Sequence, residues 1–138
     1  MTNPAPHVFI VDDEVPVRSG LARLLRAIGM PSRTFESAEA FLESYAANET
    51  GCLLVDIRMP GMSGLDLIEE LERRQTALPA ILMTGHADPS TMQRLKTLRT
   101  LGCLEKPFSV DQLKALLGRW WATLDRGDPP WPPPRPAT

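Results

Sequence analysis

The sequence holds almost no cysteine: two residues, Cys52 and Cys103, in a chain of 138. Neither belongs to a CxxC or Cys/His cluster, which sets aside a structural zinc site and a disulfide framework and leaves a reducing cytoplasm as the expected setting. An excess of either charge is also lacking. Fifteen Lys and Arg face seventeen Asp and Glu, for a formal net charge of −2. That balance offers no basic footprint for nucleic acid, so direct DNA binding is not expected. No apolar run approaches the ~20 residues of a membrane span. The start, "MTNPAPHVFIVDDE", has no basic segment ahead of an apolar core and does not read as a secretory signal. What is present, 43% hydrophobic and 23% charged residues, suits one ordinary globular domain.

Short apolar runs alternate with segments of helical period. "HVFIV" (7–11) reads as a first strand, and Val17, Leu21, Leu24 and Ile28 then fall on one helix face, with Pro16 near the first turn and Gly29 closing it. "SRTF" reads as a short second strand, and "SAEAFLESYAAN" as a helix capped by Ser37. "CLLV" is a third strand whose unbroken apolar character implies burial on both faces. Ser63 precedes "GLDLIEELERR", acidic early and basic late, as the helix dipole favours. "PAILM" ends at Thr84, "PSTMQRLKTLRTLG" reads as a helix, and "CLE" as a fifth strand before Lys106-Pro107. Ser109 and Gln112 open the last helix as a capping box. Alternation of this kind implies an α/β fold, a parallel sheet with helices on both faces. A domain over 6–125 is followed by a proline-rich segment, 126–138. That segment reads as an extended, disordered tail, or as a docking peptide for a partner.

Function in an open parallel sheet collects at the carboxyl ends of its strands. Here those ends deliver Asp12 and Asp13, Asp56, Thr84 and Lys106. Taken singly, Asp13 reads as a helix cap and Lys106 as a solvated lysine. Together they describe a site. Neighbouring carboxylates repel by on the order of 4 kcal/mol per close pair at an effective dielectric near 20. A hard divalent cation such as Mg²⁺ would neutralise them and keep positions open for a phosphoryl group. A lysine and a threonine hydroxyl can bind phosphoryl oxygens, so the set suits phosphoryl transfer to a carboxylate.

The same stretches, "VDDE", "DIRMPGMSG", "MTGHAD" and "EKPF", resemble the receiver domain of two-component response regulators, the last two its FixJ-type members, across about residues 6–124. The resemblance implies a flavodoxin-like, doubly wound (βα)5 fold with a five-stranded parallel sheet in the order 2-1-3-4-5. It implies that Asp56 accepts a phosphoryl group from a histidine kinase or a histidine phosphotransfer protein. Asp12 and Asp13 would hold Mg²⁺, or Mn²⁺ in its place, together with Asp56 and the backbone carbonyl of Arg58. Thr84 and Lys106 would bind phosphoryl oxygens, and the Lys106-Pro107 bond would be cis. Arg58 and His86, two residues beyond Asp56 and Thr84, stand where side chains would shield or admit the hydrolytic water. For His86 a solvated loop residue is an equal reading.

Two departures from the pattern bear on output. Receivers commonly carry Tyr or Phe three residues before the lysine, where this chain has Cys103, so the usual threonine–aromatic coupling cannot operate. Receivers of this type also usually precede a DNA-binding helix-turn-helix, and the residues after Leu124 are too few for one. The expectation is therefore a single-domain regulator, or a fragment, that switches its affinity for a downstream protein target rather than for DNA. On the last helix Leu113, Leu116, Leu117, Trp120 and Leu124 form a stripe with Trp121 beside it. Adjacent tryptophans do not easily both face inward, so one is expected to be exposed, or covered by the tail. An exposed one would favour an interface, and a homodimer is the first structural expectation. Two other readings stand beside the switch. One is a pseudo-receiver that binds partners without being phosphorylated. The other is an aspartyl-phosphate phosphatase, against which Arg58 argues by occupying the place of that chemistry's second acid.

Overall fold

The computed structural model describes residues 5–46, 49–76, 78–86 and 88–131, and among these five strands and five helices alternate. They are β1 (His7–Val11), α1 (Val15–Ala27), β2 (Ser32–Phe35), α2 (Ala38–Ser44) and β3 (Gly51–Asp56), then α3 (Gly64–Arg73), β4 (Ala80–Thr84), α4 (Pro89–Leu95), β5 (Gly102–Glu105) and α5 (Val110–Ala122). Every strand pairing is parallel, and the sheet order is β2-β1-β3-β4-β5. This is the doubly wound, flavodoxin-like order that the receiver resemblance leads one to expect.

Alternation along the strands sorts the apolar residues into two cores. Val8, Ile10, Cys52, Leu54, Ile81 and Met83 face α1 and α5, meeting Leu21, Leu25, Leu113, Leu117 and Trp120. Phe9, Val11, Leu53, Val55, Ala80 and Leu82 face the other way, onto Phe41 of α2, Leu65, Leu67, Ile68 and Leu71 of α3, and Leu95 of α4. All six residues of β3 are buried, as a central strand covered on both faces must be. Where the chain leaves the sheet, side chains fix each helix start. Ser37 Oγ accepts from Ala40 N at 3.0 Å, and Ser63/Asp66 and Ser109/Gln112 close reciprocal capping boxes.

Two helices end earlier than their sequence patterns. In α2 the chain turns extended at Tyr45, whose ring stacks on Phe41 at 5.1 Å and meets Phe9 edge-on at 5.7 Å. The aromatic contact outweighs continued helix, and residues 47–48 lie outside the described ones. In α4 the helix stops at Leu95, and Lys96, Thr97 and Leu98 make tightened bonds to carbonyls three residues back. Thr97 Oγ1 donates to Arg94 O at 2.8 Å, a side chain competing for the helix's own backbone.

Of the proline-rich segment, residues 126–131 are described, and they lie against the domain. Positive φ at Asp125 and Gly127 reverses the chain, and Trp121 Nε1 donates to Gly127 O at 3.1 Å. Trp131 then enters the α1/α5 core with 5% of its surface exposed, 6.0 Å from the Trp121 ring. Pro130 Cβ lies 3.2 Å from where a Cβ on Gly29 would stand, and Gly29 itself has φ +84°. Residues 126–131 thus strap the ends of α1 and α5, because burying an indole repays the order that proline alone would not impose. Trp120 is 1% exposed and Trp121 is half-buried beneath the strap, the tail-covered alternative of the two expected for the adjacent tryptophans. Residues 132–138 lie outside the described ones.

If the strap is structural, Trp131→Ala lowers unfolding stability in urea by about 3 kcal/mol, the low end for truncating a buried large aromatic. An unattached tail predicts no change in the urea midpoint.

Candidate functional site

Parallel strands bring the ends of β1, β3, β4 and β5 to one edge. Asp12 is fully buried beyond β1, its Oδ1 accepting from Glu14 N at 2.8 Å and its carbonyl from Arg18 Nη1 at 2.7 Å. Asp56 ends β3 with 6% of its surface exposed, its Oδ1 accepting from Arg58 N at 2.9 Å. Lys106 follows β5, and its ammonium donates to Asp56 Oδ2 at 2.7 Å and to Asp12 Oδ2 at 3.2 Å. Its own N–H is held by Thr84 O at 2.7 Å, and the Lys106–Pro107 bond is cis. Carboxylate oxygens of Asp12, Asp13, Glu14 and Asp56 all lie within 4.8 Å of one another, the first and last buried, the middle two exposed.

Charge balance at this edge is uneven. Burial pushes the Asp12 carboxyl above its ordinary value, against the hydrogen bond from Glu14 N and the charge of Lys106. Burial alone would lower Lys106, but its hydrogen bond to Asp56 and the charges of Asp56 and Asp12 outweigh burial and hold the ammonium above its ordinary value. One lysine thus neutralises part of a four-carboxylate cluster. The donor set is all oxygen, anionic and partly solvent-facing, which fits a hard divalent cation of the Mg²⁺ or Mn²⁺ type.

The loop after Asp56 is fixed from several sides. Gly64 opens α3 so close to the strand end that a Cβ there would stand 2.4 Å from Asp56 O. Glu39 of α2 accepts from Met62 N at 3.0 Å, and the Ser63/Asp66 box closes the turn. Arg94 of α4 donates to Asp66 Oδ1 at 2.7 Å and Glu69 Oε1 at 2.8 Å, tying α4 to α3.

The remaining expected residues are distributed less simply. Thr84 is buried at the same edge, but its hydroxyl donates to His86 O at 2.9 Å and accepts from His86 N at 3.1 Å. It is engaged by its own loop. His86 is exposed. Arg58 is two residues from Asp56, yet its guanidinium pairs at 3.4 Å with Asp88, the N-cap of α4. Cys103 is half-buried against the α2/α3/α4 core, and burial, then the charge of Glu105, push its thiol up. Trp120 and Trp121 are at the far end of α5, in the strapped region. Sequence reasoning passed over Glu14, Arg18 and Asp88. Glu14 stands inside the "VDDE" stretch, Arg18 is one helical turn on, and Asp88 directly before Pro89 is a cap signal.

For stability the sign follows from Lys106. Its raised folded value means that the pair contributes below the ordinary value of 10.5 and loses that contribution as pH rises through the raised one. Lys106→Met should cost on the order of 2 kcal/mol at pH 7, less than a fully buried pair because part of the side chain meets water. The urea midpoints of variant and wild type should converge above pH 10.5. A gap that persists unchanged there would assign the loss to packing.

Comparison with known proteins agrees with this arrangement. The family model for the response regulator receiver domain matches residues 8–118. The transcriptional regulatory protein FixJ of Bradyrhizobium diazoefficiens is 36% identical over 112 residues, which cover 80% of this chain and 54% of FixJ. The DNA-binding transcriptional regulator NtrC of Escherichia coli is 38% identical over 112 residues, 81% of this chain and 24% of NtrC. Among solved structures, FixJ-N superposes with a TM-score of 0.77 at 34% identity, covering 86% of this chain and 94% of that one. The response regulator StyR gives 0.80 at 38% identity, covering 87% and 61%. The chain spans about half or less of the length of these curated relatives. With the acidic edge, the sheet order and these matches in agreement, the chain belongs to the response regulator receiver domain family of two-component signalling.

Proposed function

We propose that Asp56 is the phosphoryl acceptor, that the reaction depends on Mg²⁺, and that the acyl phosphate switches affinity for a protein partner. The observation that carries this reading is the Asp56 carboxylate itself, nearly buried, held at both oxygens by Arg58 N and Lys106 Nζ, and set among three further acids. Asp12, Asp13, Asp56 and the Arg58 carbonyl would hold the cation, with Glu14 beside them. When bound, it supplies charge neutralisation for the incoming phosphoryl oxygens. Mn²⁺ offers the same chemistry.

In transfer from a phosphohistidine of a kinase or phosphotransfer protein, an Asp56 oxygen bonds to phosphorus. The histidine N–P bond breaks, and its electron pair stays on the imidazole. Lys106 already touches the acceptor and follows the charge onto the phosphoryl group. Thr84 must leave the His86 backbone before its hydroxyl can reach a phosphoryl oxygen. That move is where a switch would begin. With Cys103 in the aromatic's place it must propagate differently, and Arg94, linking α4 to α3, offers a path to the α4 face. Output through protein contact fits a net charge of −2 better than DNA contact does. Among the described residues no helix is long and apolar enough to cross a membrane. The pseudo-receiver reading draws support from Cys103 and from the engaged Thr84 hydroxyl. The phosphatase reading has against it an arginine at position 58, where that chemistry needs a second acid.

Incubation with acetyl phosphate and Mg²⁺ should add one phosphoryl mass to the intact protein, and the gain should vanish in Asp56→Asn and on chelation. No gain with any small donor would favour the pseudo-receiver, and multiple turnover of phosphate esters the enzyme. Cys103→Tyr, compared by tryptophan fluorescence before and after phosphorylation, should enlarge the phosphorylation-linked change. An unaltered change would remove this position from the switch.

A further inference from the structure

Among the described residues, Arg58 and Asp88 form the ion pair that joins the loop after β3 to the loop after β4 above the acidic edge. The two ends are held differently. Arg58's backbone N–H is fixed on the Asp56 carboxylate at 2.9 Å, so its long side chain pivots beside the acceptor. Asp88 is immobilised by α4: Oδ1 accepts from Thr91 N at 2.8 Å and Ser90 Oγ at 2.7 Å, and Oδ2 from Thr91 Oγ1 at 3.1 Å. These bonds hold its carboxyl well below the ordinary carboxylate range, with Arg58 adding a smaller charge effect. The pair itself is weak, 3.4 Å long with the Arg58 side chain 66% exposed. A fixed anion therefore holds a mobile cation by a contact that a stronger anion can take over.

We propose that Asp88 is a positioning residue for the lifetime of the phosphorylated state, acting by competing with the phosphoryl group for the Arg58 guanidinium. This rests on the reading of Asp56 as acceptor. A phosphoryl group on Asp56 is a dianion beside the Arg58 backbone and accepts a forked guanidinium better than an exposed carboxylate does. Hydrolysis needs water on the open side. The water oxygen bonds to phosphorus, the bond to the Asp56 oxygen breaks with its electron pair returning to the carboxylate, and the water's proton leaves with phosphate or to solvent. Lys106 and the cation site serve the buried side, where the leaving carboxylate gathers charge. Arg58 enters from the rim, so on the phosphoryl oxygens it stands in the water's approach, and on Asp88 it leaves that approach clear. Asp88 thus shortens the lifetime by drawing Arg58 away.

The two roles of Asp88, cap and counter-ion, separate chemically. Asp88→Ser keeps an N-cap side chain and removes the charge. With protein phosphorylated by acetyl phosphate and Mg²⁺ and then desalted, loss of phosphoryl mass with time should slow about two- to fivefold in Asp88→Ser, the range over which an exposed ion pair shifts a population. Arg58→Ala should speed the loss, and Asp88→Ser added to Arg58→Ala should change nothing further. Asp88→Glu should restore the wild-type rate. Equal rates in wild type and Asp88→Ser, or an Asp88→Ser effect that survives Arg58→Ala, would overturn the proposal while leaving Asp56 as acceptor. Failure of wild type to gain any phosphoryl mass would overturn the acceptor reading and this proposal with it.

Discussion

The ammonium of Lys106, shared between Asp56 at 2.7 Å and Asp12 at 3.2 Å, is the contact on which the rest of the site depends. It joins the ends of β5, β3 and β1, strands that sit apart in sequence and adjacent or nearly so in the sheet. Without it, two nearly buried carboxylates would face each other with only backbone N–H groups to satisfy them. With it, one oxygen of each carboxylate is paired to the same ammonium and both point into one space. The lysine does not balance the cluster, since Asp13 and Glu14 add further charge at the mouth. An edge left electrostatically incomplete by its own residues suits a hard divalent cation.

Precision at the edge comes from packing well below it. The β3 strand is buried along its whole length, gripped by opposite faces of the sheet in two separate cores, so Asp56 stands on a rigid mount. The turn that follows is held by Glu39, by the Ser63/Asp66 box and by the close approach of Gly64. By contrast the β4–α4 side is held by polar contacts: Thr84 to His86, Arg58 to Asp88, Arg94 to Asp66 and Glu69. Such bonds exchange partners readily, whereas packed apolar faces do not. The molecule thus separates a fixed Asp56 from a side held by exchangeable polar contacts.

The fixed part was legible in the sequence. Alternating and unbroken apolar runs set the strands, capping residues set the helix starts, and strand ends then name Asp12, Asp56, Thr84 and Lys106 without further help. What was illegible depends on long-range partners. The segment "RGDPPWPPP" reads locally as loose chain, and nothing local tells that Trp131 has a slot between α1 and α5. Tyr45 ends α2 for a ring contact with β1, and Thr97 helps end α4, though both lie in helix-compatible stretches. Arg58 stands out in the sequence beside Asp56, but its partner lies thirty residues on, at a cap that the sequence announces only as a cap.

As proposed, Asp56, and no other carboxylate of the cluster, takes the phosphoryl group with the help of a divalent cation. Borohydride reduction of protein treated with acetyl phosphate, followed by peptide mass mapping, reads the acceptor directly, because an acyl phosphate is reduced to an alcohol where a free carboxylate is not. Asp56 should be converted to homoserine in the presence of Mg²⁺ and left unchanged when the cation is chelated. Conversion at Asp12, Asp13 or Glu14 instead, or equal conversion of Asp56 without Mg²⁺, would contradict that proposal.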